Sequence, residues 1–145
     1  PWRNLRELFG WLKRNEILAL IIDWGYRPDD VPVRLFGAWT TLPAGPATLA
    51  AKTGAAIVHI AIRRSEDRQR FLVTYSEPIT LSSAEPAEIQ RATQAVADAL
   101  EATIAAAPEQ WYSFKPLWPA TEAEQAALAE RAVPAAPAAP VPAGS

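Results

Sequence analysis

The chain has 145 residues, half of them hydrophobic, which is enough for one domain with a substantial core but not for two. It has no cysteine and one histidine, so disulfides, thiol catalysis and thiolate metal ligands are excluded and no metal site is predicted. The net charge of the chain is −2, but residues 1–70 carry 11 basic against 7 acidic residues. This basic half could attract phosphates, anionic lipid or an acidic carrier protein. The alternative is that it forms an ordinary charged surface.

The predicted elements begin with a helix over residues 2–14, where apolar side chains recur at helical spacing. Residues 17–22 form an apolar run that is typical of a strand covered on both faces in a parallel sheet. The Gly- and Pro-rich residues 23–44 predict a long loop, and loops of this length in compact domains are usually functional. Within it, residues 31–37 predict a short edge strand, because Pro32 excludes a central position.

A short helix is predicted from Pro46, with Gly54 ending it, and a strand follows over residues 55–62. A charged hairpin turn leads into a half-exposed strand at residues 71–76, and the clearest helix of the chain covers residues 86–107. The order strand, loop, helix, strand implies a right-handed parallel crossover. The predicted fold class is therefore α/β, with a partial, mostly parallel sheet flanked by helices.

The domain prediction assigns residues 1–119 to part of an α/β domain and residues 120–132 to one additional exposed helix. Residues 133–145 are rich in Pro and Ala and predict a disordered tail. No apolar run approaches the ~20 residues needed to cross a bilayer, and no signal-peptide pattern is present. Because the chain starts at Pro1 and contains no methionine, we expect it to be a piece of a longer protein.

Asp23 is the leading candidate for a functional side chain. It follows the predicted strand at residues 17–22, and the carboxyl ends of parallel strands are where α/β folds place their ligands. Arg27 lies four residues further on, and a carboxylate that orients this arginine would help it to hold a phosphate-bearing substrate. The alternative is that Asp23 caps a turn while Arg27 is solvated.

His59 is the one side chain able to act as a base near neutral pH without a large change in its pKa. It lies in the middle of a predicted strand, and no serine or cysteine stands at a telling distance from it. We therefore interpret His59 as a core or sheet-face residue. The segment LPAGPAT lacks the spacing and the lysine of a P-loop, so no nucleotide phosphate loop is predicted.

Five segments carry a family resemblance. In chain order they are LIIDWG (20–25), VPVRLFG (31–37), LPAGPATLA (42–50), TGAAIVHI (53–60) and APEQW (107–111). Together they resemble the middle-to-late part of the bacterial lysophospholipid acyltransferase superfamily. The branch is that of lipid A biosynthesis (lauroyl-type) and phosphatidylinositol mannoside acyltransferases, and the ending SFKPLW is more similar to the second of these.

The resemblance implies the carboxy-terminal part of a glycerolipid acyltransferase-like fold. It also implies an enzyme of bacterial membrane lipid synthesis that moves a fatty acyl chain from acyl-CoA or acyl carrier protein onto a hydroxyl of a glycolipid or lysophospholipid. Such an enzyme needs no cofactor beyond this co-substrate. It would contact the membrane peripherally, on the cytoplasmic face of the inner membrane, and bind no nucleic acid.

The family's catalytic His-x4-Asp/Glu motif is absent, because Arg64 stands where the acid should follow His59. The resemblance therefore implies no catalytic residue in this chain and a base upstream of Pro1, so that the segment alone is expected to be inactive. Asp23, Arg27 and Arg34 remain as predicted substrate-binding residues, with the arginines facing acceptor or carrier phosphates.

Two other functions stay open. The first is a non-catalytic module of the same fold that binds lipid head groups or a protein. The second is a sugar- or nucleotide-binding α/β enzyme, which the missing Gly-rich loop disfavours. The coding sequence before Pro1 would distinguish the acyltransferase from the non-catalytic module. A His-x4-Asp/Glu motif there supports the enzyme.

Overall fold

The computed structural model describes residues 5–132, with side chains from residue 7 onward. The predicted start of the first helix at residue 2 and the predicted disordered tail at residues 133–145 lie outside the described residues. In chain order the elements are α1 (Leu5–Lys13), β1 (Val31–Leu35), β2 (Ala38–Leu42), α2 (Gly45–Thr53), β3 (Ile60–Arg64), β4 (Phe71–Tyr75), α3 (Pro86–Ala106), a 3-10 turn (Pro108–Gln110) and α4 (Glu122–Arg131).

The strands form two separate antiparallel pairs. β1 pairs with β2 and β3 pairs with β4, each over five residues. The α/β character is confirmed, but residues 5–132 contain no parallel strand pair, so the predicted partial, mostly parallel sheet is not found there. No helix among these residues is long and apolar enough to cross a membrane.

The strand predicted at residues 17–22 is wrong. The segment is neither helix nor strand, Ile17 is 96% exposed and Ile21 is 78% exposed. Only Ile22 packs against the core. An apolar run becomes a buried strand only when neighbouring strands and covering helices surround it, and the described residues supply neither for this segment. The predicted parallel crossover therefore loses its first strand.

The loop predicted at residues 23–44 contains a hairpin instead. β1 lies where a short strand was predicted, but β2 was missed. The two strands are joined at Phe36 and Gly37, which both adopt positive φ values of 51° and 77°. Two successive residues of this kind form the type I′ turn that matches the twist of a hairpin. Phe-Gly is not the usual sequence for that turn, so the sequence did not predict the hairpin.

The short helix α2 is confirmed, and Gly54 ends it as predicted. Gly54 has a φ of 77°, and its N–H donates to the carbonyl of Ala50 at 2.8 Å. The strand predicted at residues 55–62 begins later, at Ile60. Before it, Ile57 makes only an isolated antiparallel bridge to Ile79. β4 and α3 lie within a residue or so of their predicted ranges.

The core lies between the β1–β2 hairpin and α3. Val33 and Leu42 from the hairpin pack against Val96 and Ala97 from the helix. The side chain of Gln90 on α3 also donates to the carbonyl of Pro32, which is the one backbone polar group of that residue because proline has no N–H. The helix thus contacts β1 through both its apolar and its polar side chains.

Glutamine side chains close three positions on the free strand edges. In each case the amide oxygen accepts from a backbone N–H while the amide nitrogen donates to the carbonyl of the same residue. The pairs, with the two N···O distances, are Arg34–Gln94 (2.8 and 2.9 Å), Trp39–Gln125 (2.8 and 2.9 Å) and Arg64–Gln110 (2.7 and 3.2 Å). A primary amide offers one donor and one acceptor side by side, so it substitutes for one residue of a neighbouring strand.

The last helix, α4, begins with a capping box. Thr121 accepts from the N–H of Glu124, and the carboxylate of Glu124 accepts from the N–H of Thr121. A helix was predicted here as exposed, yet its Leu128 is only 2% exposed. Near its end, Arg131 donates to the carbonyls of Pro28 and Asp30, which ties α4 to the long segment before β1.

We predict that Gln94→Ala lowers the free energy of unfolding by about 1 kcal/mol, because two hydrogen bonds to Arg34 are lost at a site that water reaches. Urea denaturation followed by circular dichroism measures the change. Gln69→Ala is the control, since Gln69 lies exposed in the β3–β4 turn and its replacement should change stability by less than about 0.5 kcal/mol. Equal losses in both variants would contradict the edge-closing role.

Candidate functional site

Asp23 connects two of the five segments that carry the resemblance and acts electrostatically on a third. Its carboxylate accepts a hydrogen bond of 3.2 Å from the indole Nε1–H of Trp111, which lies 88 positions away in the chain. Its negative charge also acts on His59, where it partly opposes the fall in the imidazole pKa that burial causes. The Asp23 carboxylate therefore joins LIIDWG directly to APEQW and has an electrostatic effect on the histidine of TGAAIVHI.

His59 is half-buried and hydrogen-bonded on both its backbone and its ring. Its N–H donates to Ser76 Oγ at 3.0 Å, and its Nε2 lies 3.0 Å from Thr103 Oγ1. The Thr103 hydroxyl also lies within hydrogen-bond distance of the Ala99 carbonyl, at 3.0 Å, so the imidazole and the backbone of α3 share this hydroxyl.

Burial lowers the pKa of His59 below its ordinary value of 6.5, and the negative charge of Asp23 partly offsets this effect. Because the folded state binds the proton less tightly than the unfolded state does, stability falls as the pH drops below 6.5 towards the folded-state pKa. The bonds to Thr103 and Ser76 give both the ring and the backbone of His59 a partner. The residue lies just before β3, however, and not in the middle of a strand as predicted.

Arg27 lies on the same segment as Asp23, but the two side chains form no ion pair within 4.0 Å in the part of the chain that the structure describes. The backbone of Arg27 is held by Thr41, whose hydroxyl accepts from its N–H at 3.1 Å and donates to its carbonyl at 2.7 Å. Its charge acts on Asp30 instead. Burial raises the pKa of Asp30, the charge of Arg27 opposes that rise, and the charge of Asp29 adds to it.

An open cleft of about 310 Å³ lies beside Arg27. It is lined by Trp24, Gly25, Tyr26, Arg27, Lys115 and Pro116. The ammonium of Lys115 sits 4.7 Å from the ring centre of Trp24, and the N–H of Tyr26 donates to the carbonyl of Pro116 at 2.9 Å. Two cations beside two aromatic rings can bind a phosphate next to a flat or sugar-like group. Sequence reasoning missed Lys115 as a neighbour of Arg27, since 88 residues separate them.

Gly25 allows the two walls of this cleft to meet. Its φ is 105°, and a Cβ atom placed there would lie 3.0 Å from Lys115 Cβ and 3.3 Å from the carbonyl oxygen of Pro116. A residue with a side chain would have to adopt an unfavourable backbone conformation and push the opposite segment away. The junction therefore depends on glycine at this position.

Arg34, the third predicted site residue, lies on the β1–β2 hairpin. Its guanidinium donates to the carbonyl of Gly37 at 3.0 Å and stacks over the ring of Trp39 at 5.3 Å. Among the described contacts it shares no partner with Asp23 or Arg27. Residues 5–132 also contain no group of three or more His, Cys, Asp or Glu side chains that could hold a metal ion.

Comparison with known proteins shows that the chain is similar in sequence to acyltransferases. Residues 1–120 match the family described as bacterial lipid A biosynthesis acyltransferase. A phosphatidylinositol mannoside acyltransferase of Mycolicibacterium smegmatis (strain ATCC 700084 / mc(2)155) is 35% identical over 107 residues, which are 74% of this chain and 34% of that protein. One of Mycobacterium tuberculosis (strain ATCC 25618 / H37Rv) is 34% identical over 122 residues, or 83% of this chain and 37% of that protein. The chain thus spans little more than a third of the length of these relatives.

We predict that Asp23→Asn lowers the pKa of His59 further, because the carboxylate that favours the protonated imidazole is removed. The chain has one histidine, so a proton NMR titration of its ring gives an unambiguous signal. Trp111→Phe serves as a companion variant that removes the partner of Asp23 while keeping its charge. An unchanged His59 pKa in Asp23→Asn would show that the two groups do not interact.

We predict that Gly25→Ala destabilises the fold by at least ~1 kcal/mol more than Gly54→Ala does. Both glycines have positive φ, which costs an alanine about 1–2 kcal/mol, but only Gly25 faces close neighbours while Gly54 faces open space. Urea midpoints of the two variants give the comparison. Equal destabilisation would mean that the segment carrying Lys115 moves aside without cost.

Proposed function

The chain belongs to the bacterial lipid A biosynthesis acyltransferase family, and from this membership we propose that the protein acts in acyl transfer to a membrane glycolipid or lysophospholipid. In this reaction an acceptor hydroxyl attacks the thioester carbonyl of acyl-CoA or acyl carrier protein. An ester bond forms, the thioester bond breaks, and the thiol leaves with the proton lost by the hydroxyl. A base must take that proton as the oxygen attacks.

We place this base outside the chain, in a part of the protein before Pro1 that carries the family's His-x4-Asp/Glu motif. His59 is a poor candidate because Arg64 stands at the position of the acid and Thr103 occupies its Nε2. The segment described here would then act on the acceptor side of the reaction and would be inactive by itself. The donor, acyl-CoA or acyl carrier protein, is a co-substrate, and no further cofactor is proposed.

The observation that carries the site assignment is the bond between Asp23 and Trp111, because it joins two segments of the family pattern. We propose that Asp23 fixes the wall of the acceptor site while Arg27 binds a phosphate of the acceptor in the adjacent cleft, with Lys115 beside it. Arg34 shares no contact with that cleft, so we assign it to the phosphate or the acidic surface of the donor carrier.

The relatives named as phosphatidylinositol mannoside acyltransferases support a phosphate-bearing glycolipid as the acceptor. A lipid acceptor requires contact with a membrane, and we propose a peripheral one on the cytoplasmic face of the bacterial inner membrane. The excess of basic residues in the first 70 positions favours such contact with an anionic surface.

We predict that Asp23→Ala in the full-length protein lowers kcat/KM for the glycolipid acceptor about 10-fold or more, the size expected when a charge-assisted hydrogen bond is lost. Arg27→Gln should mainly raise KM for the acceptor. A radiolabelled acyl-transfer assay with purified phosphatidylinositol mannoside measures both. Glu66→Ala is the control, because Glu66 is an exposed acid in the β3–β4 turn.

If kcat/KM and KM for the acceptor were unchanged in both Asp23→Ala and Arg27→Gln, the assignment of the acceptor site would be wrong. A coding sequence that shows no His-x4-Asp/Glu motif before Pro1 would remove the enzyme proposal itself. The non-catalytic binding module would then replace it.

A further inference from the structure

The β3–β4 hairpin exposes a large apolar face. In antiparallel pairs, directly opposite residues point to the same side of the ribbon, and here the pairs are Ile60 with Tyr75, Ile62 with Val73 and Arg64 with Phe71. The five apolar members of these pairs are between 46% and 68% exposed: Ile60, Ile62, Phe71, Val73 and Tyr75. Contiguous exposed apolar surface of this kind marks a binding surface in soluble proteins.

The other face of this hairpin carries smaller or more polar side chains. Ala61 is buried there and Leu72 is half-buried, while Thr74 is exposed. The larger hydrophobic residues therefore point away from the described part of the protein. A two-stranded hairpin is marginally stable in water unless a further strand or helix covers its apolar face.

Within residues 5–132, no strand pairs with the outer backbone edge of β3. The bonds from Ser65 N–H to the Arg70 carbonyl and from Ser76 N–H to the His59 carbonyl show which pairs are hydrogen-bonded across the ribbon. By the alternation of antiparallel pairing, the peptide groups of Ile60 and Ile62 point away from β4. Gln110 closes this edge at Arg64 but not at the two isoleucines.

We propose that the remaining part of an acyltransferase domain docks here, adding a strand to the edge of β3 and covering the apolar face. A polypeptide can satisfy both the peptide groups and the apolar side chains. A bilayer would cover the side chains but leave the peptide groups unpaired, which is costly in hydrocarbon.

The length of the relatives identifies the occupant. This chain corresponds to 34–37% of them, so roughly two thirds of a complete family member lies outside the matched region. The inference rests on family membership and not on the proposed reaction. An inactive enzyme could still have this interface, and an active one could lack it.

Hydrogen exchange tests the proposal on the 145-residue chain and on the full protein encoded around it. The amides of Ile60 and Ile62 should exchange roughly 100-fold more slowly in the longer protein, since they become bonded to a new strand. The amide of Ile57, which already donates to the Ile79 carbonyl at 2.9 Å, is the internal control and should be protected in both.

A pair of variants gives an independent measurement. Val73→Thr should leave the melting temperature of the 145-residue chain unchanged and lower that of the longer protein by several degrees. Gln69→Ala, in the turn beyond the face, should change neither. The effect on acyl transfer is not needed for this test, so its outcome stays separate from that of the function proposed above.

Several results would overturn the proposal. Equal exchange of Ile60 and Ile62 in both proteins would do so, as would a gene that encodes no further family sequence. A 145-residue dimer that Val73→Thr dissociates would assign the face to a second copy. Binding to phosphatidylcholine–phosphatidylglycerol vesicles that Val73→Thr abolishes would assign it to a membrane.

Discussion

Every strand in residues 5–132 is an edge strand, and this constraint governs the rest of the described structure. The outward peptide groups of such strands need partners, and here helices supply several of them through side-chain amides. α3 uses Gln90 and Gln94 on β1, while Gln125 of α4 acts on β2. The same helices therefore both pack against the strands and supply hydrogen-bond partners to the backbone groups of the strand edges. A change in the position of α3 would expose both an apolar core and a row of backbone groups.

The same arrangement orders the segment that carries the candidate site. Residues 23–30 contain no helix or strand, yet elements on several sides hold them. β2 contributes Thr41, α4 contributes Arg131, and the segment after α3 contributes Trp111 and the carbonyl of Pro116. With its backbone fixed in this way, the segment can present Arg27 to solvent at little cost in conformational entropy, which favours ligand binding.

Local patterns predicted the local elements well. Helix α3 and helix α2 with its Gly54 end followed from periodicity and capping, and the β3–β4 hairpin followed from a charged turn between apolar runs. The strand predicted at residues 17–22 failed because burial of an apolar run depends on what surrounds it. Asp23 was found from sequence, but Trp111 as its partner was not, because no local pattern encodes a contact between residues 88 positions apart. Lys115 was not predicted as a neighbour of Arg27 for the same reason.

The amide pairs on the strand edges also bear on which sequences can preserve this fold. At positions 94, 110 and 125 the side chain must offer a donor and an acceptor at the same reach, and among the amino acids only glutamine does so at that length. Glutamate has nearly the same shape and is one nucleotide away in the genetic code, but its ionised carboxylate would face a backbone carbonyl. Replacement of these glutamines by glutamate should therefore be selected against. All three positions lie near the surface, where an exchange of glutamine for glutamate is ordinarily harmless.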